Sequence, residues 1–250
     1  MQYGICKLGV IPVRFLASDE SEMVTQLLYG DHFEIINLKA NWLQIRIAFD
    51  QYEGWIDQKQ IEFINEDQFE SCMNRIFDCS SDLIEYVQLA DHSLMSIPLG
   101  SCLSGELIFK HQFEGHKNQH LIDQKKAIPE TAFMYLNAPY LWGGKTPFGI
   151  DCSGLTQMVY RLHGYVLPRD ASQQAKEGEA LSFIEESEPG DLAFFDNEEG
   201  IITHVGIILK DNYIIHAHGQ VRVDRIDHTG IFNVDTKNYS HQLRVIKKII

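Results

Sequence analysis

No stretch of this chain approaches the roughly 20 consecutive apolar residues that a helix needs to cross a bilayer. The N-terminus, Met1-Gln2-Tyr3-Gly4-Ile5-Cys6-Lys7, lacks a basic segment followed by an apolar run of signal-peptide length. A cytoplasmic protein is expected on both counts. Basic residues are scarce: 21 Lys and Arg stand against 35 Asp and Glu, a formal net charge of −14. Such a surface repels phosphate backbones and anionic lipid heads, so neither nucleic acid nor a membrane is an expected partner. Cysteine is also sparse. The five, Cys6, Cys72, Cys79, Cys102 and Cys152, are odd in number and none are spaced Cys-x-x-Cys. That argues against a disulfide framework and a thiolate zinc site. Seven Pro and 18 Gly are too few for a low-complexity chain, and an apolar fraction of 44% is that of a folded protein.

The chain divides into three regions. Residues 1–64 read as short strands: Val10–Arg14, Phe33–Ile36 and Trp42–Ile47, the last two alternating at period two, and Gly54-Trp55-Ile56. Gly30-Asp31, Lys39-Ala40-Asn41 and Asp50-Gln51 break them, so a small barrel is expected. Trp42-x-x-Ile45-Arg46 followed by Tyr52-Glu53-Gly54-Trp55-Ile56 resembles a bacterial SH3-type domain. Residues 65–118 carry mixed signals, with a helix around Asp67–Ile76, and are assigned to a second, degenerate SH3-like barrel. The polar run His116–His120 reads as a linker. Residues 119–250 place helices first, over Asp123–Leu136 and Cys152–His163, and strands after, at Leu192–Phe195, His204–Leu209, Tyr213–Ala217 and Leu243–Ile249. That order predicts an α+β domain.

Chemistry concentrates in the third region. Leu155, Met158, Val159 and Leu162 form one face of a helix that starts at Asp151 or Cys152. A thiol at a helix N-terminus meets unpaired N–H groups, which favour thiolate and predict a lowered pKa. Taken alone, a buried inert thiol is the commoner fate of a lone cysteine. Thr203–Ile208 and Tyr213–Ala217 read as a hairpin around Lys210-Asp211-Asn212. If Leu209 pairs with Tyr213 across a three-residue loop, Gly206 faces His216, and His204 and His216 share a face as diagonal neighbours. A two-residue loop would separate them. Gly206 would leave an open spot beside the pair. A nucleophile, a base and a group orienting the base is triad logic, here Cys152, His204 and His216. Two ordinary strand histidines are an equal possibility from spacing alone.

Residues 135–225 resemble the NlpC-type cell-wall cysteine peptidases, whose fold is papain-like α+β. The resemblance rests on Pro139-Tyr140-x-Trp142-Gly143-Gly144, Asp151-Cys152-Ser153-Gly154-Leu155, Pro168-Arg169, Pro189-Gly190-Asp191-Leu192, His204-Val205-Gly206-Ile207 and His216-Ala217. It implies Cys152 as nucleophile, His204 as base, His216 as the orienting third residue and Tyr140 as an oxyanion donor. No cofactor is implied. A metal held by His204, His216 and an acid runs against this cysteine-led pattern. An SH3-type region followed by such a peptidase is similar to the γ-D-glutamyl-L-diamino acid endopeptidases, which implies L-Ala-γ-D-Glu-diaminopimelate as substrate; with no signal peptide read at the N-terminus, recycling of imported wall fragments is the expected role. The alternatives are an amidase with the same machinery and an inactive muropeptide-binding protein. Asp151 and Ser153 flank the nucleophile and are candidates to read the free L-Ala ammonium. Glu22 and Trp55, on a barrel placed over the cleft, are further candidates.

Overall fold

The computed structural model describes residues 2–118 and 124–250, with the side chain of Gln124 excepted. These fall into two compact units: residues up to 118 together with Trp142–Pro147, and residues 124–141 with 148–250. The first unit is built on strands β1 (Gln2–Cys6), β2 (Val10–Arg14), β3 (Met23–Leu28), β4 (His32–Lys39), β5 (Trp42–Ile47), β6 (Glu53–Asp57) and β7 (Ile61–Ile64). They form one sheet in the order β3-β2-β6-β5-β4-β1-β7, the small closed barrel expected of an SH3-type domain. Period-two patterning drives it. In β5, Leu43, Ile45 and Ile47 are buried while Trp42, Gln44 and Arg46 are only half so. Leu43, Ile45 and Ile47 join Ile11, Val13, Leu27, Phe33 and Ile56 in one core.

The same unit continues through α1 (Glu66–Met73), β8 (Ile84–Gln88), β9 (Leu94–Pro98), α2 (Gly105–Phe109) and β10 (Gln112–Phe113). Asn65 caps α1 in a reciprocal capping box with Gln68. Tyr3 of β1 stacks on Phe69 of α1 with ring centroids 4.3 Å apart. β10, β8 and β9 make a three-stranded antiparallel sheet. Its Val87 and Ile97 pack around Tyr29, which follows β3, so residues 65–118 share a core with the first barrel. Of the linker expected at His116–His120, Asn118 accepts from Cys79 N and donates to Phe77 O. Gln119 and His120 lie outside the described residues, as does Asp123 at the expected start of the next helix.

In the second unit, α3 (Gln124–Phe133) contains Pro129 in its interior. The short β11 (Lys145–Thr146) belongs to the first unit and β12 (Gly149–Ile150) to the second. Then come α4 (Cys152–Leu162), α5 (Ala171–Gln174) and strands β13 (Glu179–Leu181), β14 (Leu192–Asp196), β15 (Ile202–Ile208), β16 (Tyr213–His218), β17 (Gln220–Ile226), β18 (Gly230–Asn233) and β19 (Asn238–Lys248). The sheet order is β13-β19-β14-β15-β16-β17-β18, and β19 pairs with β18 as well. α4 packs on β15 and β16 and is buried along its whole length rather than on one face. Its polar residues are accommodated: Thr156 Oγ1 donates to Gln174 Oε1, and Gln157 Nε2 donates to Leu167 O. No helix among the described residues is long and apolar enough to cross a membrane.

Candidate active site

Asp151 is the N-cap of α4, its side chain accepting from Gly154 N at 2.7 Å. Cys152 is therefore the first helical residue, and it is only 6% exposed. The backbone N–H groups of Ser153 and of Val205, the residue after His204, reach its sulfur and favour the thiolate. They do not prevail. Burial pushes the Cys152 thiol up to about 12, with the Asp151 charge adding to it and Arg169 opposing. The lowered pKa expected from the helix start is thus reversed, because desolvation of the charged form outweighs a partial helix charge.

The hairpin has the register that the three-residue loop requires. Leu209 N donates to Tyr213 O at 2.8 Å, and Gly206 pairs with His216. Asp211 and Asn212 in the loop both have φ of 58°. The histidines share a face, with His204 Nε2 and His216 Nδ1 2.8 Å apart. The open spot expected at Gly206 is filled. A Cβ there would stand 2.7 Å from Ile214 Cδ1 and 2.9 Å from His216 Cβ, so glycine serves close packing of β16.

The sequence reading missed Asp224. In β17 it lies diagonally across from His216, since Arg222 is directly opposite. Its Oδ2 is 3.1 Å from His216 Nε2, and its residue is fully buried. Arg222 holds the carboxylate from the other side, Nε to Oδ2 at 2.6 Å and Nη2 to Oδ1 at 2.9 Å, and also reaches Asp235 at 2.7 Å. Burial pushes Asp224 up, but the His216 and Arg222 hydrogen bonds overcome it and hold the carboxyl far below its usual range. The signal was present: Gln220-Val221-Arg222-Val223-Asp224 alternates immediately after Gly219, and the parity step that joined His204 to His216 extends to it.

These bonds fix the protons. An ionised Asp224 only accepts, so His216 Nε2 carries a hydrogen and donates to it. His216 Nδ1 then accepts from His204 Nε2–H. His204 Nδ1 is left without a hydrogen, the form in which a ring nitrogen can accept a proton. Both rings are neutral near pH 7. Burial, then the charges of His216, His241 and His218, lower His204 well below its ordinary value. Burial lowers His216 too, against the pull of Asp224. A protonated thiol and a neutral imidazole are the resting forms that general-base catalysis uses.

Tyr140 is partly exposed, with its backbone N–H bonded to Gly219 O at 3.0 Å. Burial, then Cys152 and Asp151, push its hydroxyl up to about 12, so it stays a proton donor. Asp151 and Ser153 are bound into a knot with Arg169. Nη1 and Nη2 donate to the two Asp151 oxygens at 2.9 and 2.6 Å, and Nη1 donates to Ser153 Oγ at 2.9 Å. Asp151 is thus charge-compensated. Arg169→Ala would leave a buried carboxylate without its partner, and an expected loss of about 3–5 kcal/mol of stability follows. Urea titration of the two proteins measures it; an unchanged midpoint would mean that the knot contributes nothing. In the first unit, Glu22 Oε1 accepts from Trp142 Nε1 at 2.6 Å, and Trp55 lies on β6 opposite Arg14 and Gln44.

Residues 137–240 match the NlpC/P60 family, and residues 16–61 match the bacterial dipeptidyl-peptidase Sh3 domain. The chain carries an NlpC/P60 cysteine peptidase domain. Its partner is an SH3 domain of the kind found in bacterial dipeptidyl-peptidases. A dipeptidyl-peptidase 6 of Lysinibacillus sphaericus is 28% identical, over 83% of this chain and 85% of its own. A gamma-D-glutamyl-L-lysine dipeptidyl-peptidase of Bacillus cereus is 25% identical, over 80% of this chain and 68% of its own. The crystal structure of an NlpC/P60 family protein from Bacillus cereus superposes with a TM-score of 0.76 at 17% identity, covering 99% of each chain, and shares the fold. Within the NlpC/P60 domain lie Tyr140, Asp151, Cys152, Ser153, His204, His216 and the unforeseen Asp224.

Proposed function

We propose that this cysteine peptidase hydrolyses the γ-D-glutamyl–diamino acid bond of free cell-wall peptides such as L-Ala-γ-D-Glu-diaminopimelate. Cys152 is the nucleophile, His204 the general base, His216 the residue that orients it, and Tyr140 a donor to the oxyanion. The observation that carries this reading is the directed hydrogen-bond chain from Asp224 through His216 to His204, which leaves one bare imidazole nitrogen for the thiol. The name of the Bacillus cereus relative supports the γ-D-glutamyl bond, and "dipeptidyl" in both names supports a substrate whose N-terminus is free two residues before the cut. Wall fragments rather than intact wall are then the substrate, and a cytoplasmic recycling role belongs to the same reading.

Substrate choice tests it. Asp151 and Ser153, beside the nucleophile, are proposed to receive the L-Ala ammonium, with Asp151 sharing its charge between ligand and Arg169. L-Ala-γ-D-Glu-diaminopimelate should exceed its N-acetylated form in kcat/KM by about 30-fold or more. That figure is the lower end, ~2 kcal/mol, of truncating one side of a buried charge pair. Product masses identify the bond cut. Equal rates on both forms would mean that the N-terminus is not read. Release of an intact peptide from a sugar-linked fragment would assign the amidase chemistry instead.

A further inference from the structure

His241 belongs to none of the motifs and lies one residue beyond the span that matches the NlpC/P60 family. Its half-buried ring nevertheless lies flat on His204, with centroids 4.0 Å apart and planes inclined by 21°. His204 meets its other neighbours differently: Phe195 is tilted at 5.8 Å, and His216 is edge-on at 5.0 Å. β19 is shaped to deliver this ring. Its pairing with β18 skips Ser240, and its pairing with β14 skips Arg244, so a bulge stands on each side of His241. Bulges re-aim side chains and recur next to active sites. Ser240 Oγ is 2.8 Å from His241 Nδ1 and sets the ring's own plane. Gly230, at φ 151°, lets β18 close on this backbone; a Cβ there would fall 1.9 Å from His241 O.

Three histidines so close also suggest a metal site. The geometry speaks for packing, because His204 Nε2 and His216 Nδ1 already face each other across one hydrogen bond and His241 is stacked on His204. We propose that His241 is a positioning residue for the base: it covers one face of His204, blocks rotation of that ring about its Cβ–Cγ bond and shields the His204–His216 hydrogen bond from water. This rests on His204 being the general base. A base that wanders from its line of attack loses rate without losing substrate affinity, and small misplacements cost on the order of 10²-fold.

The test compares His241→Ala, His241→Phe and wild type on L-Ala-γ-D-Glu-diaminopimelate. His241→Ala is expected to lower kcat at least about tenfold with KM nearly unchanged. His241→Phe, which keeps a flat ring and removes the nitrogens, is expected to recover most of that loss. Long-range proton–nitrogen NMR of the imidazoles supplies a readout independent of turnover. His204 should show a single tautomer protonated at Nε2 in wild type and His241→Phe, and a mixture in His241→Ala. An unchanged kcat and tautomer in His241→Ala would overturn the proposal. So would a His241→Phe as slow as His241→Ala, which would mean that a ring nitrogen is needed, or a KM rising in step with the kcat loss, which would mean substrate contact. Should wild type leave the peptide uncut, the function proposed above fails, while the tautomer comparison still judges His241.

Discussion

Cys152→Ser is expected to fold normally and lose about 10⁴-fold or more of its turnover. The substitution is nearly isosteric at the first residue of a buried helix, so Asp151 keeps its cap and its bonds to Arg169. The loss is chemical. A thiol pushed up to about 12 still gives its proton to a neutral imidazole as the new bond forms. A serine hydroxyl ionises less readily again, and the shorter C–O bond draws its atom back from the carbonyl carbon. His204→Ala is expected to fall about as far, and the double variant no further, because nucleophile and base act as one unit. Steady-state kinetics with thermal unfolding of each variant checks this. More than about 1% of wild-type turnover in Cys152→Ser would remove Cys152 from the nucleophile's place, far above the residue left by loss of a catalytic unit.

Local patterning made much of this molecule readable. The alternation of Trp42–Ile47 marks a strand whose burial the sequence states outright, and the stripe Leu155, Met158, Val159, Leu162 marks the helix, though not the burial of its other faces. The hairpin was readable because a three-residue loop fixes which side chains share a face, and His204 and His216 do share one. The environment of Cys152 was not readable. A helix start argues for a low thiol pKa, yet the burial that reverses it comes with the packing of α4 on β15 and β16, distant in sequence. Asp224 and His241 were lost for a related reason. Arg222, Asp224 and Arg225 place charge in β17, which disguises a strand, and Asp224 is tolerable inside only because Arg222 reaches it. β19 was expected from Leu243, whereas it begins at Asn238. Its two bulges, one on each side of His241, break the period on which a strand is recognised.

Asp224→Asn is expected to cost about 10²–10³-fold in kcat although the residue touches neither Cys152 nor, in the proposed mechanism, the substrate. The corresponding change in a serine-protease triad, where the carboxylate bonds the base directly, costs about 10⁴-fold through the wrong tautomer. Here one more imidazole intervenes. Oδ2 of Asp224 accepts from His216 and from Arg222, and Oδ1 accepts from Arg222. An amide must turn its NH₂ toward one of them. Turned toward His216, it donates to Nε2 and drives the His216 proton to Nδ1. His204 must then accept at Nε2 and carry its hydrogen on Nδ1, where the bare nitrogen for Cys152 should be. In either orientation the NH₂ opposes the Arg222 guanidinium, donor against donor, at Nε when turned toward His216 and at Nη2 when turned away. The pH profile separates this from a mere pKa effect. In wild type the His204 pKa is lowered well below its ordinary value of 6.5, so kcat/KM should stay level as pH falls through 6.5 and decline only well beneath it. A tautomer held by a hydrogen bond does not respond to pH, so the Asn variant should run parallel to wild type, low at every pH from about 5.5 to 8. If Asp224 acted only by its charge on the histidines, the acid limb would move and the plateau would stand. A plateau within threefold of wild type would show that the chain of bonds does not set the tautomer of His204.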